Sequence, residues 1–329
     1  MSFEMAYGAI FVLLMVLAVR RTLLSETSYR RKALGQMAVF YGFYLFWLLA
    51  AHQIWRVWSG MQTLTEALPL LALSVLAVYC RFIEPNLLAM RYRTIPLDAD
   101  HRLEQPLRIA LIADMHVGLF SGGRFQLQRI VKKINREKVD AVLIAGDWTY
   151  EPGPHLQSKL YPLSLLDAPA YSVPGNHDEE LPGPPIQEEL KQCLVALGIR
   201  PIEHHWEEWH SVYVLGTGDL WAGKADLHQL QELPSDKPWL VLAHNPDTVD
   251  HVPAGLSKKP LLLCGHTHGG QIDLPWITLK LLKSMSVHGF QEGLYQTDRA
   301  QVYVTAGTGM VAWPFRFNMR PSIDILTLT

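Results

Sequence analysis

The distribution of apolar residues divides this chain of 329 residues into two regions. About the first hundred residues contain three long uncharged apolar stretches, whereas the rest alternates short apolar runs with amphipathic segments of helical period. The short runs predict buried strands, and the amphipathic segments predict helices. We therefore expect a transmembrane helical region over residues 1–83, a polar connector over 84–105 and an α/β domain over 106–329.

Within the α/β region, strands are expected wherever an apolar run of four to six residues occurs. Helices are expected where apolar positions recur at helical spacing, and the segment Ile202–Leu215 is typical of a hairpin. The predicted strands are Arg108–Ala113, Ala141–Ala145, Ala170–Pro174, Leu240–Ala243, Leu261–Cys264, Val302–Thr305 and Ile323–Leu328, and the predicted helices are Gly123–Lys138, an irregular Leu156–Leu166 and Ile186–Leu197.

The three N-terminal stretches are candidates for membrane-spanning helices, which need about twenty largely apolar residues. Ala33–Trp55 meets this length, whereas Met5–Val19 and Ala67–Cys80 reach it only with polar neighbours included. The alternatives are a cleavable signal peptide for the first stretch and a buried or interfacial helix for the third. Because the first stretch lacks a basic start and a small-residue cleavage site, we predict three spans, with two as the alternative.

The basic residues of the loops predict how these spans are oriented. Five basic residues lie between the first and second stretches, but only Arg56 lies between the second and third, and several arginines follow Arg81. Since cytoplasmic loops carry an excess of Lys and Arg, the first loop and everything after Arg81 are expected in the cytoplasm. The sequence thus predicts a multi-pass protein of the inner membrane, with the lipid bilayer as a partner.

Composition agrees with a membrane-anchored globular domain. The net charge is −2 and charged residues make up 18% of the chain, below the usual value of about 25% for soluble proteins. Without a basic excess, nucleic acid is not expected as the main partner. Three cysteines do not form a disulfide framework, and Cys264 is expected to be a core residue, so a reducing compartment fits.

Polar side chains of metal-binding type follow the predicted strands. In an extended segment, residues two apart point to the same side, so Asp114 with His116, and His266 with His268, are each expected to hold one cation. A single His or Asp after a strand is usually an ordinary loop residue, but five segments at one sheet edge predict a polynuclear metal site. The motifs are Asp114-Met115-His116, Gly146-Asp147, Gly175-Asn176-His177-Asp178, His244 and Gly265-His266-Thr267-His268.

The order of these motifs resembles that of the calcineurin-like metallophosphoesterase superfamily. The flanking runs His244–Asp247, Gly265–Ile272 and Ala306–Gly309 are similar to its membrane-associated bacterial branch, which includes YaeI-like phosphodiesterases and the chlamydial-type UDP-2,3-diacylglucosamine hydrolase. The resemblance covers residues 106–329. It implies a four-layer sandwich of two mixed β-sheets flanked by helices, preceded here by the transmembrane helical region.

Carried onto this sequence, the resemblance implies two divalent transition-metal ions. The first would be held by Asp114, His116 and His268, the second by Asn176, His244 and His266, and Asp147 would bridge them, while His177 would face the substrate. Carboxylate, imidazole and amide ligands suit Mn, Zn, Fe or Co rather than Ca. The sequence departs from the pattern at Tyr150, where many relatives carry a second Asp, which puts substrate positioning rather than metal binding in doubt.

Two such cations about 3.5–4 Å apart can share a water and lower its pKa, and they neutralise charge on the phosphoryl oxygens. His177 could then protonate the leaving group or donate a hydrogen bond to it. Asp178 is predicted either to orient His177 or to be an ordinary loop carboxylate.

The substrate is the least constrained part of the prediction. The stretch Leu274–Phe290 is typical either of an interfacial membrane helix or of an ordinary surface helix. Candidate substrate-binding residues are Arg124, Tyr150, Trp276 and Arg316. The two arginines could bind phosphate through their guanidinium groups, and the alternative for each is a structural or surface role. We predict a membrane-anchored dimetal phosphodiesterase or pyrophosphatase for an amphiphilic phosphoester such as a UDP-linked acylated sugar. The alternatives are a phosphodiesterase for soluble substrates and a catalytically idle membrane scaffold or regulator.

Overall fold

The computed structural model describes residues 3–24, 30–97, 103, 105–209 and 211–329. Parts of the predicted first basic loop (25–29), of the connector (98–102 and 104) and of the hairpin (His210) therefore lie outside the described residues.

The N-terminal region consists of helices. Three helical stretches, Met5–Leu24, Arg30–Trp58 and Leu64–Asn86, are long and apolar enough to cross a membrane by length and composition. At most 28% of any one of their apolar windows is buried within the protein, so most of their apolar surface faces outward. The helices are α1 (Phe3–Leu24), α2 (Arg30–Gly42), α3 (Tyr44–Trp58) and α4 (Leu64–Val78), and α4 continues into short π and 3-10 turns, Tyr79–Ile83 and Glu84–Asn86.

The remainder forms two six-stranded mixed sheets and a two-stranded ribbon. The first sheet has the order β1-β14-β2-β4-β6-β7, with only β14 and β2 antiparallel, and the second has the order β12-β13-β11-β10-β9-β8, with antiparallel pairs at both edges. The ribbon pairs β3 with β5. The strands are β1 (Ala89–Ile95), β2 (Leu107–Ile112), β3 (Val117–Gly118), β4 (Ala141–Ala145), β5 (Thr149–Tyr150), β6 (Ala170–Val173), β7 (Ile199–Pro201), β8 (Trp206–Trp209), β9 (Val212–Gly216), β10 (Trp239–Leu242), β11 (Leu261–Cys264), β12 (Gly293–Gln296), β13 (Gln301–Val304) and β14 (Ser322–Leu328).

The two sheets pack face to face around an apolar layer that includes Leu111, Leu143, Leu240 and Leu263. The outer face of the first sheet is covered by helices, and the outer face of the second by the short 3-10 helices His228–Gln231 and Pro246–His251. The predicted calcineurin-like sandwich of two mixed sheets is thus confirmed. The helices of this region are α5 (Arg124–Glu137), α6 (Leu156–Leu160), α7 (Gln187–Ala196) and α8 (Pro275–Met285).

The first sheet contains one strand that the sequence analysis placed in the connector. Residues Ala89–Ile95 form β1, which pairs in parallel with Ser322–Leu328. The strand lies at the edge of the sheet, and only Ile95 of its seven residues is buried. An edge strand with one buried side chain shows little apolar alternation, so its polar composition suggested a connector instead.

The three apolar helical stretches are attached to the α/β domain at the loops that carry the polar motifs. Ala18 of α1 and Ala33 and Met37 of α2 are buried in one apolar cluster with Leu119 and Tyr150 of the domain. Each of the three apolar stretches also makes a hydrogen bond to the domain. These bonds join Arg21 Nη2 to Gly118 O (3.1 Å), Gln36 to the Tyr150 hydroxyl (2.8 Å), Arg316 N to Cys80 O (3.1 Å) and Met319 N to Glu84 Oε1 (2.7 Å).

Candidate metal centre

Seven polar side chains from five chain segments converge at the carboxyl ends of the parallel strands, where ligand sites of open α/β sheets lie. Each segment directly follows a buried strand, which fixes the position of its first residue. All seven side chains are buried, and the sequence predicted all of them: Asp114, His116, Asp147, Asn176, His244, His266 and His268.

The first group consists of Asp114, His116 and His268. The Nε2 atoms of His116 and His268 lie 2.9 Å apart, and Asp114 Oδ1 lies 3.5 Å from His268 Nε2 and 3.9 Å from His116 Nε2. The two imidazole rings are stacked at an interplanar angle of 14°. One carboxylate oxygen and two ring nitrogens therefore face a common point.

The second group consists of Asn176, His244 and His266. The side-chain oxygen of Asn176 lies 3.2 Å from His244 Nε2 and 3.0 Å from His266 Nδ1, and these two nitrogens are 3.2 Å apart. The three atoms form a nearly equilateral triangle. This geometry places an amide oxygen and two imidazole nitrogens around a second common point.

Asp147 lies between the two groups. Its Oδ2 atom is 3.5 Å from His116 Nε2 and 3.3 Å from His244 Nε2, so one oxygen reaches a member of each group. Its other oxygen accepts a hydrogen bond from the backbone N–H of His177 at 2.9 Å. The carboxylate is thus held in a position from which it can bridge two cations.

The distances and hydrogen bonds fit metal ligation. Adjacent ligands of a cation bound at about 2.0–2.1 Å lie roughly 2.9–3.4 Å apart, as most of these donor atoms do. Nδ1 of His244 lies 2.7 Å from the carbonyl of Ala145, and Nε2 of His266 lies 3.0 Å from that of Met285. Since a carbonyl only accepts, these nitrogens carry the proton of the neutral ring. The opposite nitrogens, which face the other ligand-type groups, are then the ones that would offer a lone pair to a cation.

Burial and the neighbouring charges shift the pKa values of the site strongly. Burial opposes protonation of His244, yet the nearby Asp147 carboxylate raises the pKa of this imidazole to about 10. Burial lowers the pKa of His116 and of His266 to about 3. Burial raises the pKa of Asp114 to about 8, whereas the surrounding imidazoles, foremost His244, outweigh burial at Asp147 and hold its pKa well below the usual range. Near pH 7 the ionised Asp147 is therefore paired with a protonated His244, and a bound cation would take the place of that proton.

The local backbone differs from the extended geometry expected for the ligand pairs. Asp114 and His116 have φ angles of 52° and 46°, and Asp147, His266 and His268 have φ angles of 52°, 72° and 51°. These values lie in the left-handed region, which non-glycine residues occupy at a cost of about 1–3 kcal/mol each. The side chains therefore converge through tight turns rather than through alternation along a strand.

Two glycines allow the ligand segments to approach one another. A Cβ atom on Gly175 would lie 2.2 Å from Asp147 Oδ1, and one on Gly265 would lie 2.6 Å from Asp114 Oδ2. Both distances are shorter than van der Waals contact, so any side chain at these positions would displace a carboxylate.

His177 lies beside the first group and the bridging carboxylate. Its ring is edge-on to that of His116, with centroids 5.1 Å apart, and it forms a potential ligand cluster with His116 and Asp147. The Nδ1 atom lies 2.7 Å from the carbonyl of Pro182, which leaves Nε2 as the nitrogen without a proton in the neutral ring. Burial lowers the pKa of His177, so the neutral ring predominates near pH 7.

The carboxylate of Asp178 binds backbone N–H groups of two loops and does not orient His177. Its carboxylate accepts hydrogen bonds from the backbone N–H groups of Trp148 (3.1 Å), Thr149 (3.2 Å) and Gly175 (3.0 Å). Asp178 therefore ties the loop that carries Asp147 to the loop that carries Asn176. Its contribution is to the relative position of these two ligands.

Arg316, expected as a possible phosphate-binding residue, does not have a free guanidinium group. The side chain is fully buried, and its nitrogens donate to the carbonyls of Ala306, Gly309 and Met319 at 2.7–3.2 Å. One of them also lies 3.3 Å from Nδ1 of His268. Arg316 thus supports the loop around the ligand-type residue His268, which is the structural alternative for this arginine.

The other candidate substrate-binding residues lie at different distances from the centre. Tyr150 is buried, with its ring edge-on to His116 and His177, whereas Arg124 is exposed at the start of α5. Trp276 is 87% exposed on α8, and this helix is joined to the centre at its end, where the Met285 carbonyl meets His266. Roles in substrate binding remain predictions for Tyr150, Arg124 and Trp276.

Three further residues near the centre were not predicted. Trp221 stands edge-on to His266 with centroids 4.4 Å apart, and it is half exposed. Asp219 is buried, and its charge contributes to the high pKa of His244. Asp247 accepts hydrogen bonds from Ser286 and Val287 and so fixes the end of α8. The run Gly218-Asp219 after an apolar strand had the same form as the recognised motifs and could have indicated Asp219.

Comparisons with known proteins agree with this geometry. A family model described as calcineurin-like phosphoesterase matches residues 107–270, which include all seven ligand-type residues. An uncharacterized metallophosphoesterase of Helicobacter pylori is 30% identical over 264 residues, covering 78% of this chain and 68% of the relative. The phosphodiesterase YaeI of Escherichia coli is 28% identical over 259 residues, covering 76% of this chain and 92% of the relative.

A relative with a membrane region is also found. A protein of Danio rerio named transmembrane protein with metallophosphoesterase domain is 31% identical over 245 residues, covering 68% of this chain and 53% of the relative. Together with the three apolar helices, this similarity indicates association with a membrane. The family match and the buried cluster of ligand-type residues lead to one conclusion: the chain belongs to the calcineurin-like metallophosphoesterase family and is a metal-dependent phosphoester hydrolase.

Proposed function

We propose that this protein is a membrane-anchored dimetal phosphodiesterase that acts at the cytoplasmic face of the inner membrane. Its substrate is an amphiphilic phosphoester, such as a UDP-linked acylated sugar. The observation that carries the dimetal assignment is the position of Asp147, whose Oδ2 atom lies 3.5 Å from a ligand nitrogen of one group and 3.3 Å from one of the other.

In this proposal each group would hold one divalent transition-metal ion, Mn, Zn, Fe or Co, and Asp147 would be shared by both ions. The bound cations supply Lewis acidity and a nucleophilic water near neutral pH. The chain contributes the geometry: carbonyl hydrogen bonds fix the rings of His244 and His266, and Asp178 fixes the spacing of the Asp147 and Asn176 loops.

His177 is the proposed acid–base residue. The Pro182 carbonyl holds the proton on Nδ1, so Nε2 is the atom that exchanges a proton with the substrate. The backbone N–H of His177 is bonded to Asp147, which keeps the imidazole at a fixed distance from the bridging carboxylate. In the protonated ring, Nε2 donates to the leaving oxygen of the phosphoester.

An amphiphilic substrate is supported by the surface around the centre. The helix α8 exposes Trp276, Ile277 and Leu279, together with Lys280 and Lys283, to the surroundings. An exposed apolar face with adjacent lysines is typical of a helix that lies in the membrane interface. Because the end of α8 contacts His266, acyl chains held along the helix would place a headgroup phosphate near the cations.

The attachment of the membrane helices supports the same substrate class. Arg21, Gln36 and Cys80 contact the loops around the metal centre rather than the opposite end of the sandwich. A centre close to the helices is close to the bilayer surface, where a lipid-linked headgroup lies. The excess of basic residues in the first loop and after Arg81 favours the cytoplasmic side.

The test is hydrolysis by the full-length, metal-loaded protein in lipid vesicles. UDP-2,3-diacylglucosamine and the soluble diester bis-p-nitrophenyl phosphate are compared, with Asp147→Asn as the inactive control. We expect turnover of both substrates, with a higher kcat/KM for the acylated one. Turnover of the soluble diester alone would favour the soluble-substrate alternative, and a metal-loaded protein that cleaves neither would favour an idle scaffold.

A further inference from the structure

We infer that the membrane helix α2 is part of the active site, because Gln36 positions the imidazole of His177 through Tyr150. This inference rests on the proposed function of His177 in phosphoester hydrolysis. It assigns a role to the tyrosine that replaces the second aspartate of many relatives. It also makes one residue of an apolar membrane helix a determinant of the reaction rate.

Gln36 of α2 contacts Tyr150 directly. The amide nitrogen and the amide oxygen of Gln36 lie 2.8 and 3.0 Å from the Tyr150 hydroxyl. The hydroxyl can accept from the amide N–H and donate to the amide oxygen, so both of its functions are used. Tyr150 is only 4% exposed, and its orientation is therefore set by a side chain of the membrane helix.

Tyr150 in turn contacts His177. The two rings are edge-on at 81°, with centroids 5.1 Å apart, and Tyr150 stands in the same way against His116 at 5.8 Å. Aromatic rings at this separation form a specific geometry that resists rotation. Displacement of the phenol would therefore leave space beside His177 and allow its ring to tilt.

The helix α2 is fixed to the domain by the same face that carries Gln36. Ala33 and Met37 are buried, and Phe40 stacks on Phe120 of the domain with centroids 6.2 Å apart. These residues follow one another at helical spacing, so they lie on the same side of α2 as Gln36. A glutamine in an apolar helix is costly unless it is paired, which explains why its partner lies in the domain.

A second support of His177 also lies against α2. Lys32, Gln36, Tyr150 and Pro182 line one small cleft between the helix and the domain. The carbonyl of Pro182 holds Nδ1 of His177, and the ring of Tyr150 packs against its face. The helix α2 therefore lies next to both groups that fix this imidazole, the Pro182 carbonyl and the Tyr150 ring. In contrast, the hydrogen bond from Arg21 of α1 to the Gly118 carbonyl involves neither group.

The experiment uses the full-length, metal-loaded protein in vesicles with bis-p-nitrophenyl phosphate as substrate. The variants are Gln36→Leu, Tyr150→Phe and the double variant, each of which removes the hydrogen bond and retains most of the volume. The matched control is Gln53→Leu, because Gln53 is also buried in the membrane region but pairs with Gln62 rather than with the domain. Metal content and thermal unfolding are measured for every variant.

We expect Gln36→Leu and Tyr150→Phe each to lower kcat about 3- to 10-fold, the rate effect of one lost hydrogen bond, with KM and metal content unchanged. The double variant should be no slower than the slower single variant, since both remove the same contact. Gln53→Leu should retain the wild-type kcat.

An unchanged kcat in Gln36→Leu would overturn the inference, and so would an equal loss in Gln53→Leu, which would indicate a general effect of the membrane region. A rise in KM or a loss of metal with unchanged kcat would assign Gln36 to binding or stability instead, and would likewise overturn it. Failure of the proposed function is recognised separately, because the wild-type protein would then be inactive on this soluble diester.

Discussion

Arg316 places a guanidinium nitrogen 3.3 Å from Nδ1 of His268, and both side chains are almost completely buried. The remaining donors of Arg316 bind backbone carbonyls of the segment Ala306–Met319. This segment also contacts the end of the third apolar stretch, where the backbone N–H of Arg316 is bonded to the Cys80 carbonyl. One arginine thus connects a ligand-type residue of the metal centre, a C-terminal loop and the third apolar helical stretch.

Arg316→Met should destabilise the protein by about 3 kcal/mol or more, because each buried carbonyl left without a donor costs about 1–3 kcal/mol. The measurement is denaturant unfolding of the detergent-solubilised protein. Arg124→Met is the control: Arg124 is exposed, so its loss should change stability by no more than about 0.5 kcal/mol. Equal stability of the two variants would show that Arg316 does not support the loop.

Asp147→Asn and His177→Ala should separate metal binding from proton transfer. The first change removes the charge shared by the two groups and should abolish turnover together with metal retention. The second should leave the metals bound and slow the reaction about 10²–10⁴-fold, the usual contribution of a general acid or base. Metal content and kcat are measured on the same samples. Loss of metal in His177→Ala would mean that His177 is a ligand.

Elemental analysis of the loaded protein should find two transition-metal ions per chain, because two groups of donors share a bridging carboxylate. Removal of the ions by a chelator should lower the melting temperature, since ligands that bind only the folded state stabilise it. Restoration of the melting temperature by added Mn or Zn is the control for irreversible damage. A maximum of one ion under saturating conditions would contradict the dimetal assignment.

Trp276→Glu should reduce turnover of an acylated, UDP-linked substrate in vesicles but leave bis-p-nitrophenyl phosphate hydrolysis near the wild-type value. The side chain is 87% exposed, so the substitution should not disturb the core, while a carboxylate on this face would weaken contact with the membrane interface. Val195→Glu introduces the same charge at an exposed apolar position of α7 and should affect neither substrate. Equal losses on both substrates would remove the argument for a lipid-linked substrate.

A reporter fused after Thr329 should be active only in its cytoplasmic form, because the basic residues of the first loop and those after Arg81 favour that side. A reporter inserted at Gly60, in the turn between the second and third apolar stretches, should behave in the opposite way. Activity of both fusions on the same side of the membrane would exclude three spans with this orientation.

The ligand-type residues could be predicted from the sequence because each is local to a strand end. The apolar run Ala141–Ala145 predicts a buried strand, and the following Gly146-Asp147 then lies at its carboxyl end whatever the rest of the chain does. The backbone conformation of the same residues could not be predicted from alternation, because φ angles such as 52° at Asp147 result from contacts with other loops.

The residues that hold the metal centre in place do so through contacts between distant segments of the chain. Such contacts cannot be predicted from a local sequence pattern. Arg316 was considered as a phosphate-binding residue because a guanidinium group can bind phosphate through two hydrogen bonds, and the sequence left open that it is a structural residue instead. Gln36 and Tyr150 are 114 residues apart, and an isolated glutamine in an apolar stretch does not identify its partner. The short strands β3 and β5 were missed for a related reason, since two residues are too few to show a period.

The left-handed backbone conformations of the ligand segments place side chains for hydrolysis but lower the stability of the folded protein. Asp114, His116 and Asp147 occupy a backbone region that glycine enters freely, whereas each of these residues pays about 1–3 kcal/mol for it. A glycine at any of these positions would relieve strain while removing a ligand-type side chain. A descendant of this protein that no longer hydrolyses phosphoesters could therefore gain stability by substituting these residues. As long as the activity is selected, the strained residues are retained and the protein is less stable than it could be.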